Sequence, residues 1–226
     1  MNPALFVAGT DTGVGKTHVA MALCRALRSR GLRVGVMKPA ETGCHSDAPP
    51  NALALIEASG CRAPLDLVCP YRFADPLAPG VAAECEGRTV DILRLDAALA
   101  ELRSSHDVVV CEGAGGLLVP LAGTIVYADW LESTGLPVLL VGRLGLGTLN
   151  HVLLSARYLA ARGIPHLATV LSATQTPADL AETTNPGVLA RYPESRIAGV
   201  LAHGLSPEFP QPALDVIIEW LKGQCR

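Results

Sequence analysis

The amino-acid sequence predicts a doubly wound α/β fold, in which helices cover both faces of a mainly parallel sheet. Continuous runs of Val and Leu recur along the 226 residues, and 50% of the composition is hydrophobic. Such runs are typical of strands that are buried on both faces. Segments of helical periodicity, each about 10–15 residues long, separate these runs. No repeat, low-complexity tract or linker interrupts the order, so we expect a single domain over residues 1–226.

The elements of the N-terminal half follow from apolar runs, periodicity and proline. The run ALFVAG predicts a strand, and the apolar stripe after it predicts a helix that stops near Gly31. The prolines of CPYRFADPLAPG predict a loop that contains no regular element. The expected order is a strand at 4–9, a helix at 16–30, a strand at 33–39, a weaker helix at 51–59 and this loop at 69–80.

The C-terminal half continues the alternation of strands and helices. The expected order is a helix at 91–104, strands at 107–113 and 136–142, a helix at 148–162, a strand at 166–172, a helix at 178–190, a strand at 196–202 and a helix at 211–223. In such sheets, ligands bind beyond the carboxyl ends of the strands. The candidate functional segments are therefore those that directly follow strands, namely 9–17, 38–43, 112–116, 142–151 and 172–177.

Composition and charge exclude several classes of function. The net charge is −3 and no long run of basic residues occurs, which argues against nucleic-acid binding. The N-terminus has no basic segment before its apolar run, and LPVLLVGRLGLGTL is too short to span a membrane. The seven cysteines form no CxxC pair, and several of them lie in apolar runs, which indicates buried, reduced thiols. We expect a cytoplasmic protein that binds neither nucleic acid nor membrane.

The segment GTDTGVGKT has the features of a phosphate-binding loop. Gly13 and Gly15 allow the backbone to turn its N–H groups inward, and the helix that follows adds the positive end of its dipole. Lys16 can reach the β- and γ-phosphates, and the Thr17 hydroxyl can bind Mg²⁺. The loop opens at Gly9 and is one residue longer than the usual P-loop.

Three further polar groups follow strands. Lys38, in KPAETG, can place a second cation on transferring negative charge, and Thr42 offers a hydroxyl in the same turn. Glu112 ends VVVCE at the position where nucleotide-hydrolysing proteins carry a metal-organising carboxylate, and the glycines of GAGG allow backbone to approach a ligand. In GLGTLNH, Thr148 or Asn150 either caps an ordinary helix or belongs to a site for a substrate carboxylate.

Several motifs together resemble the dethiobiotin synthetase family, in that family's order and spacing from about residue 5 to residue 160. They are GTDTGVGKT, KPAETG, PYRFADPLAPGVAAE, EGAGGLLVPL, YADW and LGTLNH. The resemblance implies a P-loop NTPase-like fold and an ATP- and Mg²⁺-dependent, homodimeric ligase of biotin biosynthesis. Beyond residue 165 the likeness is mainly architectural.

The resemblance also implies a reaction. The family closes a ureido ring on 7,8-diaminopelargonic acid with CO2, and gives dethiobiotin, ADP and phosphate. A carbamate on one substrate amine attacks the γ-phosphate, and the second amine attacks the resulting carbamic–phosphoric anhydride. Two lysines and a metal around one γ-phosphate suit such a transfer, and no nucleophilic side chain is required.

By this likeness, each motif residue receives a role. Catalysis falls to Thr12, Lys16 and Lys38. The nucleotide is bound by Gly13, Val14, Gly15, Lys16, Thr17, His18, Glu112, Ser172 and Ala173. The diamino acid is bound by Thr12, Thr42, Pro79, Gly115, Gly147, Thr148, Leu149 and Asn150, the 147–150 turn coming from the second subunit. Mg²⁺ is bound by Thr17, Glu112 and the residue at position 51.

The sequence departs from the family pattern at three places. Asn51 stands where the family has an aspartate ligand of the metal, so the site loses a charge that Mg²⁺ favours. Either Asp47 compensates, or the ion relies on the other ligands, phosphates and water. Ser172-Ala173-Thr174 replaces an adenine-contacting asparagine, and GVLAHG (199–204) replaces a Gly-x-Ile-Pro turn; both leave the base preference open.

Three alternative functions are weighed against this one. A ParA/MinD-like regulatory ATPase would carry a second lysine early in the loop, in a KGGxGKT pattern, whereas TDTGVGK has none before Lys16. Cobyrinic and cobyric acid amide synthases carry a glutaminase domain, for which 226 residues leave no room. A diverged synthetase paralogue that acts on another diamine stays as the nearest alternative.

Overall fold

The computed structural model describes residues 1–44, 48–173, 179–204 and 206–224. The strands are β1 (Ala4–Gly9), β2 (Val34–Met37), β3 (Ala40–Thr42), β4 (Tyr71–Phe73), β5 (Val108–Gly116), β6 (Pro120–Ala122), β7 (Ile125–Val126), β8 (Val138–Leu144), β9 (His166–Ala173) and β10 (Ile197–Leu201). The helices are α1 (Lys16–Arg28), α2 (Pro50–Ser59), α3 (Leu65–Val68), α4 (Pro79–Cys85), α5 (Ile92–Ser105), α6 (Tyr127–Thr134), α7 (Thr148–Ala161), α8 (Leu180–Leu189) and α9 (Gln211–Gln224).

Six parallel strands form the central sheet in the order β10-β9-β8-β1-β5-β2. The doubly wound, mainly parallel fold that the sequence predicts is therefore confirmed. β1 lies between β5 and β8, with Phe6 opposite both Cys111 and Val138. Consequently the loop after β1 lies at the same sheet edge as the ends of β5 and β8, which is where such folds bind ligands.

Side chains alternate between the two faces of β1 and enter two separate cores. Phe6 points into one core, where its ring lies 5.7 Å from that of Tyr127 and 6.1 Å from that of Trp130. Leu5 and Val7 point into the other core, which the apolar stripe of α1 completes. Burial on both faces explains why these strands read as continuous apolar runs.

The described residues differ from the predicted elements mainly in short segments. The prediction of a loop without regular elements at 69–80 is wrong, because β4 lies inside it and pairs with β3, Ala40 opposite Tyr71. The prolines of this segment flank the strand and do not interrupt it. Pro79 begins α4 at the first helical position, where a missing N–H costs nothing. None of the helices in the described ranges is long and apolar enough to cross a membrane.

Candidate active site

A cleft of about 820 Å³ lies at the carboxyl edge of the sheet, beside the loop that follows β1. Its walls come from four segments that the sequence places after strands or before helices: the loop, the KPAETG turn, the start of α2 and the end of β5. The segment that leads into α4 closes a further side. The cleft therefore lies at the carboxyl ends of the strands, where the sequence predicts ligand binding.

The loop after β1 leaves backbone donors free at the start of α1. Gly15 precedes the helix with φ of 89° and, having no side chain, offers no cap to the first turn. A side chain at Gly15 would collide with the Ser172 hydroxyl, and one at Gly9 would meet the Lys16 ammonium at 2.7 Å. Glycine is thus required at both positions, and the uncapped N–H groups form an anion-binding site.

Lys16 is 7% exposed and lies folded against its own loop. Its Nζ donates a hydrogen bond to the Asp11 carbonyl oxygen at 2.9 Å. Burial, together with the nearby positive charge of Lys38, lowers the pKa of Lys16 to about 8, and Glu112 and Asp11 oppose this shift. The charged form of Lys16 is therefore less favoured than that of an exposed lysine, and a bound phosphate would stabilise it.

Lys38, Glu112 and Thr17 form one hydrogen-bonded network in the cleft. Met37, the last residue of β2, pairs with Cys111 of β5, so Lys38 and Glu112, the residues that follow them, also lie side by side. Lys38 Nζ lies 2.5 Å from Glu112 Oε1 and donates to the Gly113 carbonyl oxygen at 2.9 Å. The Thr17 hydroxyl donates to the same Glu112 oxygen at 2.8 Å. The end of the phosphate loop and the second lysine thus meet at the carboxylate of Glu112.

The same network supplies oxygen ligands that fit a magnesium ion. Thr17 Oγ1 lies 3.3 Å from Asn51 Oδ1. Glu112 Oε2 is buried and has no hydrogen-bond partner among the described residues. Hydroxyl, amide and carboxylate oxygens are the donors that Mg²⁺ binds, with water and nucleotide phosphates completing its shell. No group of three or more His, Cys, Asp or Glu residues that could hold a metal occurs in the described ranges.

One buried acid at the cleft was not singled out from the sequence. Glu41 lies on β3, is 2% exposed and accepts hydrogen bonds from the backbone N–H groups of Asn51 at 2.7 Å and Ala52 at 2.9 Å. The signal was its place inside KPAETG, between Lys38 and Thr42. An acid in a turn usually faces water, so only the hydrogen bonds of Glu41 to the start of α2 distinguish it.

Most residues expected at the site line the cleft together. They are Thr12, Gly13, Gly15, Lys16, Thr17, His18, Lys38, Thr42, Asn51, Pro79, Glu112 and Gly115. Val14 is buried under the loop, and Ser172 is buried behind Gly15. Ala173 is half-buried at the end of β9. Asp47 and Thr174 lie outside the described residues.

The 147–150 turn lies apart from the main cleft. Thr148 lines a second cavity of about 50 Å³ with Arg143 and loop residues that include Thr12. Of the two alternatives for Thr148 and Asn150, the helix cap is not observed, because Gly147 precedes α7 with φ of 92° and Thr148 Oγ1 has no hydrogen-bond partner among the described residues. Gly147, Leu149 and Asn150 do not line the main cleft.

A phosphate loop at the end of a central parallel strand, with an adjacent lysine–glutamate–threonine network, defines a P-loop nucleotide-binding protein. The family model described as an AAA domain matches residues 3–203. A protein of Anaeromyxobacter dehalogenans (strain 2CP-C), ATP-dependent dethiobiotin synthetase BioD, is 50% identical over 83% of this chain and 84% of its own length. The protein of that name from Bacillus subtilis (strain 168) is 31% identical over 96% and 92%. The chain belongs to the dethiobiotin synthetase family, which confirms the resemblance of the motifs.

Solved structures support the fold. A plasmid partition protein from Borrelia burgdorferi covers 99% of this chain and 100% of its own with a TM-score of 0.57 and 13% identity. The MinC:MinD cell division protein complex of Aquifex aeolicus matches with a TM-score of 0.57 and 12% identity, over 97% and 96%. At such identity these likenesses show a shared fold alone. The curated relatives favour the synthetase over a ParA/MinD-like switch.

Proposed function

We propose that this chain is a dethiobiotin synthetase, which uses ATP and CO2 to close a ureido ring on 7,8-diaminopelargonic acid. The observation that carries the proposal is the convergence of Lys16, Lys38 and Glu112 beside the phosphate loop. Relatives with the name ATP-dependent dethiobiotin synthetase match more than four fifths of the chain. The products are dethiobiotin, ADP and phosphate, and residues 1–226 act as one domain.

The phosphate loop would bind ATP. Backbone N–H groups at Gly13, Val14 and Gly15 face the phosphates, and Lys16 exchanges its bond to the Asp11 carbonyl for phosphate oxygens. His18 lines the same cleft. Ser172 and Ala173 serve the nucleotide from the end of β9, where Ser172 supports Gly15.

Thr17, Glu112 and Asn51 would hold Mg²⁺. Glu112 Oε2 supports this assignment, because it has no donor among the residues that the structure describes, and a buried carboxylate oxygen without a donor is costly unless a ligand satisfies it. When bound, the ion would neutralise charge on the phosphates. Asn51 contributes an oxygen without charge. The affinity for Mg²⁺ therefore depends more on the position of this side chain than it would with an aspartate.

The chemistry needs positioned charge and no protein nucleophile. One substrate amine loses a proton and bonds to the carbon of CO2, and a carbamate oxygen then bonds to the γ-phosphorus as ADP leaves. The second amine attacks the carbamate carbon and gives a proton to solvent, the ring closes and phosphate departs. Lys16 and Lys38 stabilise the negative charge on the transferring group. Thr12 and Thr42 orient the carbamate from the same cleft.

The substrate would be bound by two copies of the chain. Thr42, Pro79 and Gly115 line the main cleft, whereas the turn at 147–150 lies off it. A homodimer supplies this turn from the partner, where the uncapped start of α7 binds the substrate carboxylate. Leu146 is 86% exposed and Leu154 is 60% exposed on either side of the turn, which supports an apolar contact there.

One assay tests the proposal. Release of ADP and incorporation of radiolabelled bicarbonate are measured with and without 7,8-diaminopelargonate. We expect both signals to require the diamine and to appear in equal amounts, and Lys16→Ala to abolish both. ATP hydrolysis independent of the diamine would favour a regulatory ATPase. Faster turnover with a different diamine would identify a paralogue with another substrate.

A further inference from the structure

Glu41 is a buried carboxylate to which the proposed chemistry assigns no role. It lies in β3, whose pairing with β4 fixes its backbone through Ala40 opposite Tyr71 and Thr42 opposite Phe73. Its side chain points at the beginning of α2, and its 2% exposure excludes an ordinary surface role. A buried charge is retained only where it is paired or well hydrogen-bonded, so its partners identify its function.

Those partners are the free donors of the first turn of α2. Pro49 precedes this helix and Pro50 begins it, so neither residue offers a side-chain cap. Without Glu41, the N–H groups of Asn51 and Ala52 would therefore lack an acceptor among the described residues. Glu41 Oε1 accepts from Asn51 and Oε2 from Ala52, at 2.7 and 2.9 Å. The carboxylate also lies at the positive end of the helix dipole.

This bidentate contact fixes the backbone of the residue that carries the amide ligand. Asn51 Oδ1 lies 3.3 Å from Thr17 Oγ1, which in turn bonds Glu112. An aspartate here would be drawn to a cation by its charge, whereas an amide oxygen offers only a dipole. An amide ligand therefore depends on how accurately its backbone is held.

We propose that Glu41 is a positioning residue, which orients Asn51 toward Thr17 and Glu112 and so sets the divalent-cation affinity of the site. The inference rests on the proposed function of these oxygens as the metal site. Both carboxylate oxygens of Glu41 accept hydrogen bonds from the backbone of α2, so Glu41 acts through that helix. A residue that only stabilised the helix would affect folding but not metal affinity.

A double-mutant cycle separates these roles. Binding of Mn²⁺ in the presence of ADP is measured by electron paramagnetic resonance for the native chain, Glu41→Ala, Asn51→Ala and the double variant. Asn51→Ala keeps the two backbone N–H groups that bond Glu41, so Glu41 still caps α2 in this variant. We expect Glu41→Ala to weaken Mn²⁺ binding about tenfold or more in the native chain, as for other residues that orient ligands. In the Asn51→Ala chain we expect a change below about twofold.

Two further variants guard against misfolding. Glu41→Gln keeps the shape and one acceptor, so we expect a smaller loss of Mn²⁺ affinity than in Glu41→Ala. Asp91→Ala removes a comparable cap, the bond from Leu93 N to Asp91 at the start of α5. We expect it to lower the melting temperature with no change in Mn²⁺ binding. Equal losses of affinity in both backgrounds, or none in Glu41→Ala, would overturn the role of Glu41.

The proposed metal site is tested separately with Thr17→Val. Loss of Mn²⁺ binding in Thr17→Val together with native affinity in Glu41→Ala would refute the positioning role alone. Native affinity in both variants would refute the metal site, and the role of Glu41 with it. Weakened binding in both, with the effect of Glu41→Ala confined to chains that have Asn51, supports both proposals.

Discussion

Replacement of Lys38 by methionine removes one charge from a buried pair and leaves the packing nearly unchanged. Lys38 Nζ lies 2.5 Å from Glu112 Oε1, and the two side chains are only 4% and 1% exposed. Without the ammonium, Glu112 keeps the Thr17 hydroxyl as its hydrogen-bond partner, and its other oxygen has none in the described residues. The variant therefore leaves a buried, poorly compensated carboxylate.

The cost can be worked from that geometry. Removal of one partner from a buried ion pair destabilises a protein by about 3–5 kcal/mol. A domain stable by about 5–15 kcal/mol tolerates this loss without unfolding completely. A cation bound at Glu112 replaces part of the missing charge, so we expect the destabilisation to be smaller with Mg²⁺ and ADP. Loss of one preorganised donor to the transferring group lowers turnover by at least about a hundredfold.

Urea denaturation with and without Mg²⁺ and ADP measures the first effect, and diamine-dependent ADP release measures the second. Turnover is assayed where Lys38→Met is folded. Lys222→Met is the matched control, because Lys222 pairs with Glu219 at 3.4 Å on the surface; we expect it to change neither quantity. Turnover near that of the native chain would remove Lys38 from the chemistry, and unchanged stability would refute the uncompensated-charge argument.

Three further predictions follow from the titratable groups and the metal ligands. Asn51→Asp should tighten Mg²⁺ binding and lower the melting temperature without the ion, because its carboxylate would lie near Glu41 and Glu112. Calorimetry and thermal denaturation measure these effects, and an unchanged titration would place position 51 away from the metal. Lys16 has a pKa of about 8, so above pH 8 the binding of ADP requires uptake of a proton. The affinity for ADP should therefore fall by up to about tenfold per pH unit. Calorimetric titration at several pH values measures this, and Lys16→Arg should flatten the dependence on pH. Burial lowers the pKa of His166 to about 4 from 6.5, so the unfolded chain binds the proton first and stability should fall by about 3 kcal/mol from pH 6.5 to 4. Urea denaturation of the native chain and His166→Asn checks this, and parallel curves would contradict it.

The long elements could be predicted because their signals are local. The inner strands of the central sheet are buried on both faces and appear as apolar runs, and each long helix shows its own period. The missed elements are short and held by distant partners. β3 and β4 have three residues each, and β4 lies within the Pro-rich segment and pairs with β3 from far along the chain. α6 is fixed by Tyr127 and Trp130 packing on Phe6 of β1, which no local pattern reports.

The site shows the same limit. Lys38 and Glu112 could be placed at one edge from strand order alone, since both directly follow or end strands of a parallel sheet. Lys38 and Thr17 contact the same oxygen of the Glu112 carboxylate, and this contact depends on the register of β2 against β5. Ser172 also follows the edge rule, yet it faces the back of Gly15. Sequence order gives the edge of the sheet but not the direction of each side chain.

Under the proposed function, an amide at position 51 changes the charge that the transferred phosphoryl group meets. The attacking carbamate and the γ-phosphate are both negative, so an additional carboxylate at the metal would oppose their approach. Asn51 keeps an oxygen near Thr17 without that repulsion, and Glu41 places its own charge on the backbone of α2. Tighter metal binding in Asn51→Asp should then accompany slower phosphoryl transfer at saturating Mg²⁺. Faster transfer would show that the missing charge is a defect of the site.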